Sequence, residues 1–218
     1  MDKKELKLLR QRMVSDQLAS RGIDDPKVLQ VFREVPREVF VPEAMKEFAY
    51  QDSPLSIGSG QTISQPYIVA LMTQLLAVDS KDKILEIGTG SGYQAAILLN
   101  LGATVFGIER YPNLANVAKE RINSLGYTIK IKIGDGTLGW SEFAPYDKII
   151  VTAAAPKLPE SLLKQLKVGG KLIIPVGSRF SQELMKVEKI KRAEYSPKAV
   201  CGCVFVPLIG EEGWDEPG

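Results

Sequence analysis

The sequence predicts an α/β protein built on a doubly wound, mostly parallel sheet, with a C-terminal antiparallel strand pair and an N-terminal helical extension. Three observations carry this expectation. From Lys83 onward, short apolar runs alternate with amphipathic segments, the pattern of right-handed βαβ units. The first run, Lys83–Ile87, leads directly into Gly88, Gly90 and Gly92 and then into a helical pattern. Residues 182–190 and 198–206 both look like strands with no helix between them, which points to an antiparallel pair closing the sheet.

The elements follow in order. Residues 3–21 form a charged amphipathic helix with Leu6, Leu9, Met13 and Leu18 on one stripe, stopped by Gly22. A second helix starts at Asp25-Pro26, an N-cap followed by proline at the first helical position, and turns Val28, Leu29 and Phe32 inward. Pro36 and Pro42 break the pattern. Residues 50–65 are polar and rich in Ser, Gly and Gln, a loop or irregular hairpin, and a helix runs from Pro66 to about Ala77. Strands are expected at Lys83–Ile87, Thr104–Ile108, Ile129–Ile133, Lys148–Val151 and Lys171–Pro175, with helices near 92–101, 112–125 and 158–167. The tail Gly210–Gly218 offers little to pack apart from Trp214. A chain of 218 residues fits one domain, divided into an extension and substrate loop (1–65), a ligand-binding core (66–180) and C-terminal strands with tail (181–218).

Composition excludes several functions. The 28 basic and 26 acidic residues leave a net charge of +2 and no basic cluster, so nucleic-acid binding is not expected. No apolar run reaches about 18 residues, and the charged N-terminus does not resemble a signal segment, so a soluble cytoplasmic protein without membrane contact is expected. The chain has no histidine. That removes histidine general bases, Ser-His-Asp machinery and His-ligated metals, and leaves chemistry with little proton shuttling. Cys201 and Cys203 alternate along a strand; two thiols without further ligands make a poor metal site, and two small core or interface residues are the simpler account.

Three segments carry the chemistry. After the first strand of the alternating region come Gly88-Thr89-Gly90-Ser91-Gly92, whose glycines allow a ligand to approach the main chain. The G-x-G-x-G spacing differs from the G-x-G-x-x-G that supports a dinucleotide pyrophosphate, which disfavours an NAD-dependent enzyme. About twenty residues on, Glu109 ends the next strand, where a carboxylate accepts from both ribose hydroxyls; a solvated strand-end charge is the alternative. Gly134-Asp135-Gly136 follows the third strand, placing a carboxylate to accept from an adenine amino group, unless the segment is only a turn. Glu86 faces the same crevice, either as a ligand contact or only to orient the glycine loop, and Arg110 and Thr152 are expected at the same site. A ribose and an adenine without diphosphate match S-adenosyl-L-methionine, giving S-adenosyl-L-homocysteine as product, with no metal.

The sequence here resembles the Rossmann-like S-adenosylmethionine-dependent methyltransferases. Over nearly its whole length it resembles one family among them, protein-L-isoaspartate (D-aspartate) O-methyltransferase. The resemblance runs through Arg12-Met13-Val14, Arg21-Gly22-Ile23, Val35-Pro36-Arg37, Phe40-Val41-Pro42, Thr62-Ile63-Ser64-Gln65-Pro66, Glu86–Tyr93, Tyr146–Pro156, Leu166–Gly177 and Phe205-Val206-Pro207-Leu208. It implies methyl transfer to the free carboxylate of L-isoaspartyl or D-aspartyl residues in damaged proteins and peptides, followed by succinimide formation and repair. It also implies that Ser64 orients the substrate carboxylate, that Ile63 and Gln65 flank the pocket, and that the backbone around Val204 and Val206 pairs with the bound peptide. Ser64 as a helix cap is compatible with that role. A carboxylate nucleophile is ionised at neutral pH and the sulfonium methyl is already activated, so a chain without histidine suffices. Competing expectations are a methyltransferase with a small-molecule or RNA acceptor and a silent adenosyl-ligand sensor. Trp140 and Trp214 are either lids or local packing, and Glu211-Glu212 departs from the basic residue frequent in the family's final segment. A monomer is expected.

Overall fold

The computed structural model describes residues 2–216. α1 (Lys3–Arg12) starts at Asp2, whose carboxylate accepts from the Lys4 and Glu5 N–H groups at 2.7 and 2.8 Å and satisfies two otherwise unpaired helical donors. The expected single helix over 3–21 is continuous but not uniform. It widens to π geometry at Met13–Leu18, with Met13, Val14 and Leu18 all buried, and tightens to a 3₁₀ turn at Ala19–Arg21 before Gly22 at φ +89°. α2 (Pro26–Glu34) has the predicted cap, Asp25 accepting from Lys27 and Val28. After Pro36 and Pro42 the chain makes short 3₁₀ turns, Arg37–Phe40 and Glu43–Phe48. The polar 50–65 segment holds a hairpin of β1 (Leu55–Gly58) and β2 (Gln61–Ile63), which delivers the chain to α3 (Pro66–Leu76).

The main sheet contains β3 (Lys83–Ile87), β4 (Thr104–Glu109), β5 (Lys130–Ile133), β6 (Tyr146–Val151), β7 (Leu166–Gly177), β8 (Gln182–Lys191) and β9 (Glu194–Cys203), in the order β5-β4-β3-β6-β7-β8-β9. β3 to β7 pair in parallel, and β7-β8-β9 pair antiparallel. Helices α4 (Tyr93–Asn100), α5 (Pro112–Ser124) and α6 (Glu160–Gln165) make the crossovers. Strand alternation divides the core in two. Ile84, Ile150, Ile173 and Leu184 point into the cluster shared with the N-terminal helices, whereas Leu85, Ile87, Ile149, Val151, Leu172 and Ile174 point into the other. The sheet order reverses around β3, which places a crevice at the carboxyl ends of β3 and its neighbours.

Several strand ends shift by a few residues, and two of the differences from expectation have a visible cause or bear on the site. The helix expected over 158–167 is only six residues long, and β7 begins at Leu166. The Lys189 ammonium, reaching from β8, donates to the carbonyls of Leu163, Lys164 and Leu166 at 3.2, 3.2 and 2.7 Å and so satisfies the helix end early. The last strand ends at Cys203, so residues 204–206 leave the ladder; the Phe205 N–H donates to Gln182 Oε1 at 2.8 Å instead. Among the described residues no helix is long and apolar enough to cross a membrane.

Candidate active site

The glycine loop follows β3. Gly88 has φ +86°, and a Cβ there would stand 2.7 Å from Thr152 Oγ1, so side-chain space and backbone conformation both require glycine. Thr152, just beyond β6, is held against this loop: its N–H donates to the Ile87 carbonyl at 2.9 Å and its hydroxyl to the Gly88 carbonyl at 2.6 Å. Gly90, at φ +53°, exposes its main chain to the crevice.

A cavity of about 300 Å³ opens beside the loop, lined by Gly88, Gly90, Glu109, Arg110, Gly134, Gly136 and Thr152 together with Tyr111 and Leu208. The Glu109 carboxylate lies at its wall with both oxygens oriented: Oε2 accepts from the Gly90 N–H at 2.7 Å and Oε1 from the Tyr111 N–H at 2.9 Å. Glu109 is therefore a strap on the glycine loop as well as a cavity wall. Arg110 pairs at the rim with Glu216.

Beneath the loop a smaller cavity is lined by Glu86, Gly88, Thr89, Gly90, Ser91, Thr152, Ile63 and Ser64. Glu86 is fully buried, and neither carboxylate oxygen has a hydrogen-bond partner. Burial, with the Glu109 charge adding to it, pushes its carboxyl well above the usual range. A cationic donor entering this cavity would satisfy both oxygens. The residues present thus fit a nucleoside that carries an ammonium group.

A third cavity, about 600 Å³, is lined by Arg21, Ser64, Gln65, Thr62, Thr152 and residues 201–206, including Val204 and Val206. It shares Thr62, Thr152 and Val206 with the adenosine-sized cavity, and Ser64 with the small one. Ser64 does not cap α3: Gln65 occupies the cap position without a side-chain bond. The Ser64 carbonyl instead accepts from Arg37 Nη2 at 2.8 Å. Arg37 is wholly buried, its Nε donates to the Ala49 carbonyl at 2.7 Å, and burial lowers its pKa to about 10. Gln65 donates to the Asp52 carbonyl at 3.1 Å, while Ile63 is buried against the small cavity. Cys201 and Cys203 are free and line the large cavity, and burial pushes the Cys203 thiol up to about 11.

A protein-family model described as Protein-L-isoaspartate(D-aspartate) O-methyltransferase (PCMT) matches residues 9–213. The chain belongs to this family. Curated family members include Protein-L-isoaspartate O-methyltransferase 2 of Pelobacter propionicus, 55% identical over 94% of this chain and 92% of the relative. The corresponding enzyme of Protochlamydia amoebophila is 54% identical over 93% of this chain and 97% of its own. Among solved structures, a protein-L-isoaspartate O-methyltransferase superposes with a TM-score of 0.85 at 30% identity, covering 94% of this chain and 67% of that one. A beta-aspartate methyltransferase (PCMT) from Plasmodium falciparum, in complex with S-adenosyl-L-homocysteine, gives 0.81 at 27% identity over 92% of this chain and 98% of that one.

Within this isoaspartate methyltransferase framework, two expected ligand contacts fall elsewhere. Asp135 does not line the cavity: Oδ1 accepts from the Thr137 N–H and hydroxyl at 2.8 and 2.7 Å, and Oδ2 from the Glu211 N–H at 2.8 Å. Its carboxylate is turned toward the C-terminal segment, with Gly210 directly against it. Gly92 faces Ala118 and Ile122 of α5, so it serves helix packing and lies outside the cavities. The tail is better anchored than its composition suggested. The Glu212 carboxylate accepts from the Ser161 N–H and hydroxyl at 3.0 and 2.6 Å, capping α6, and Trp214 Nε1 donates to the Ala154 carbonyl at 3.1 Å. Trp140 packs edge-on to Phe106 and Phe143, away from the cavities. Sequence reasoning missed Thr62 and Arg37. Two adjacent charged residues, Arg37 and Glu38, inside the otherwise apolar 35–41 stretch were the available sign of Arg37.

Proposed function

We propose that this chain methylates the free carboxylate of L-isoaspartyl residues, and the side-chain carboxylate of D-aspartyl residues, in damaged proteins and peptides. The methyl ester then cyclises to a succinimide, which initiates repair. The observation that carries the residue-level reading is the meeting of all three cavities at Thr62 and Thr152, with Ser64 between the large cavity and the small one.

S-Adenosyl-L-methionine, when bound, supplies an activated methyl group on a sulfonium and leaves as S-adenosyl-L-homocysteine. Glu109 accepts from the ribose hydroxyls while holding Gly90 in place, and the Gly134 and Gly136 main chain borders the adenine. Arg110 closes the rim. Glu86 accepts from the ammonium at the small cavity, with Thr89 and Ser91 beside it. The substrate carboxylate is ionised at neutral pH, so no group has to remove a proton from it. Ser64 would donate its hydroxyl to one carboxylate oxygen and leave the other free as the nucleophile. Ile63 and Gln65 shape the pocket on either side. Beyond the end of β9, the main chain at Val204 and Val206 runs beside the extended peptide, Val204 being largely exposed.

The division of labour follows the chain: 1–65 for substrate, 66–180 for cofactor, 181–218 to close the site. The reading includes a monomer, supported by a cavity set complete within one chain, and a cytoplasmic location without nucleic-acid partners, supported by two free cysteines and a near-balanced charge. Ser64→Ala tests it. Its kcat should fall by about 10²- to 10³-fold with cofactor Kd within about twofold of the parent; an unchanged kcat removes Ser64 from the mechanism.

A further inference from the structure

We propose that Arg21 is the substrate-binding cation of the 600 Å³ cavity and that Asp52 is its internal competitor, so that the two residues set the apparent affinity for isoaspartyl substrates with opposite signs. The inference rests on reading this cavity as the place where the isoaspartyl residue binds. Arg21 is the one charged side chain among the described residues that line it. A substrate of this reaction carries a carboxylate by definition, and an isoaspartyl site bears one negative charge more than the asparagine it replaces.

The geometry fits recognition better than simple surface pairing. The Arg21 guanidinium lies 3.7 Å from the centre of the Tyr67 ring, which fixes the plane of its donors. Tyr67 stands in the first turn of α3, three residues after Ser64, so the cation and the carboxylate-orienting hydroxyl are tied to one rigid element. Nη1 meets Asp52 Oδ2 at 2.5 Å. Asp52 is itself placed by its carbonyl, which accepts from Gln65. The pair is far from buried, with side-chain exposures of 42% for Arg21 and 31% for Asp52. A guanidinium has five donors in a planar fork, and one aspartate does not exhaust them. An incoming carboxylate therefore finds an open edge of the cation with a like charge already beside it. Arg21 attracts it and Asp52 repels it.

A merely structural ion pair behaves differently, because breaking it from either side has the same effect. The test measures kcat and KM for an isoaspartyl peptide at saturating S-adenosylmethionine, with cofactor Kd as the control for folding. Arg21→Gln should raise KM about tenfold with little change in kcat. Asp52→Asn, which preserves the backbone acceptor for Gln65, should lower KM about threefold. Raising salt from about 0.05 to about 0.5 M should raise KM for the parent more than for Arg21→Gln. A KM within twofold of the parent in Arg21→Gln overturns the inference, as does a KM for Asp52→Asn at or above the parent's. The second criterion stands even where Arg21→Gln does not fold. Absence of turnover by the parent would refute the isoaspartyl reading and this inference with it, whereas turnover with unmoved KM values refutes this inference alone.

Discussion

Replacing Glu109 with glutamine separates its two jobs. The carboxylate accepts from the Gly90 N–H at 2.7 Å and the Tyr111 N–H at 2.9 Å, one on each oxygen. A glutamine has one oxygen, so one of the two backbone donors must face an NH₂ group. A hydrogen bond to a charged acceptor contributes about 1.5–3 kcal/mol, and about one such bond is lost in the ligand-free protein. For a domain of this size that is a fall of about 3–12 °C in Tm. Cofactor binding should suffer more, because the ribose hydroxyls also donate to this carboxylate and the glycine loop is no longer held. A loss of about 2–4 kcal/mol corresponds to about a 30- to 1000-fold rise in Kd. Isothermal titration with S-adenosyl-L-homocysteine and thermal unfolding of the ligand-free protein read the two effects separately. A lowered Tm with Kd within twofold of the parent would reduce Glu109 to a loop strap and refute the ribose assignment.

Gly88→Ala places a Cβ 2.7 Å from Thr152 Oγ1 at a φ of +86°, and should cost about 2–5 kcal/mol through overpacking and left-handed strain. Thr152→Ala removes that contact, so the double variant should be less destabilised than the sum of the singles; strict additivity in denaturant titrations would show that the contact is not the cause. Glu86 is held above its ordinary carboxyl range by burial, so the folded state keeps a proton that the unfolded chain has lost. Its contribution is complete below the unfolded pKa and declines as pH rises toward the folded value, by at most about 1.4 kcal/mol per pH unit. Glu86→Gln should therefore gain stability relative to the parent between pH 5 and 8 in the absence of cofactor, and parallel Tm profiles over that range would contradict this.

The fold was legible wherever residues speak locally. Alternating apolar runs located β3, β4, β5 and β6, and the glycines marked the loop, where Gly88 combines a positive φ with close approach to Thr152. What remained hidden depends on partners distant in the chain. The early end of α6 is set by Lys189, 23 residues beyond Leu166. The orientation of Asp135 is set by Glu211, 76 residues away, and nothing within the Gly-Asp-Gly turn distinguishes a carboxylate that faces a ligand from one that faces the tail. The π widening at Met13–Leu18 leaves no mark in an apolar stripe that suits either helical period. Ser64 is a further case. In a polar segment a serine is unremarkable, and it became a candidate only through the family resemblance; the structure then places it where two cavities meet.

The account stands most directly on the acceptor. Methyl transfer from labelled S-adenosyl-L-methionine should be measured on two peptides of the same sequence, one with an L-isoaspartyl linkage and the other with a normal L-aspartyl linkage. The account predicts base-labile label on the isoaspartyl peptide and none above background on its partner. Equal labelling of both, or labelling of neither by a protein that binds the cofactor, would contradict it.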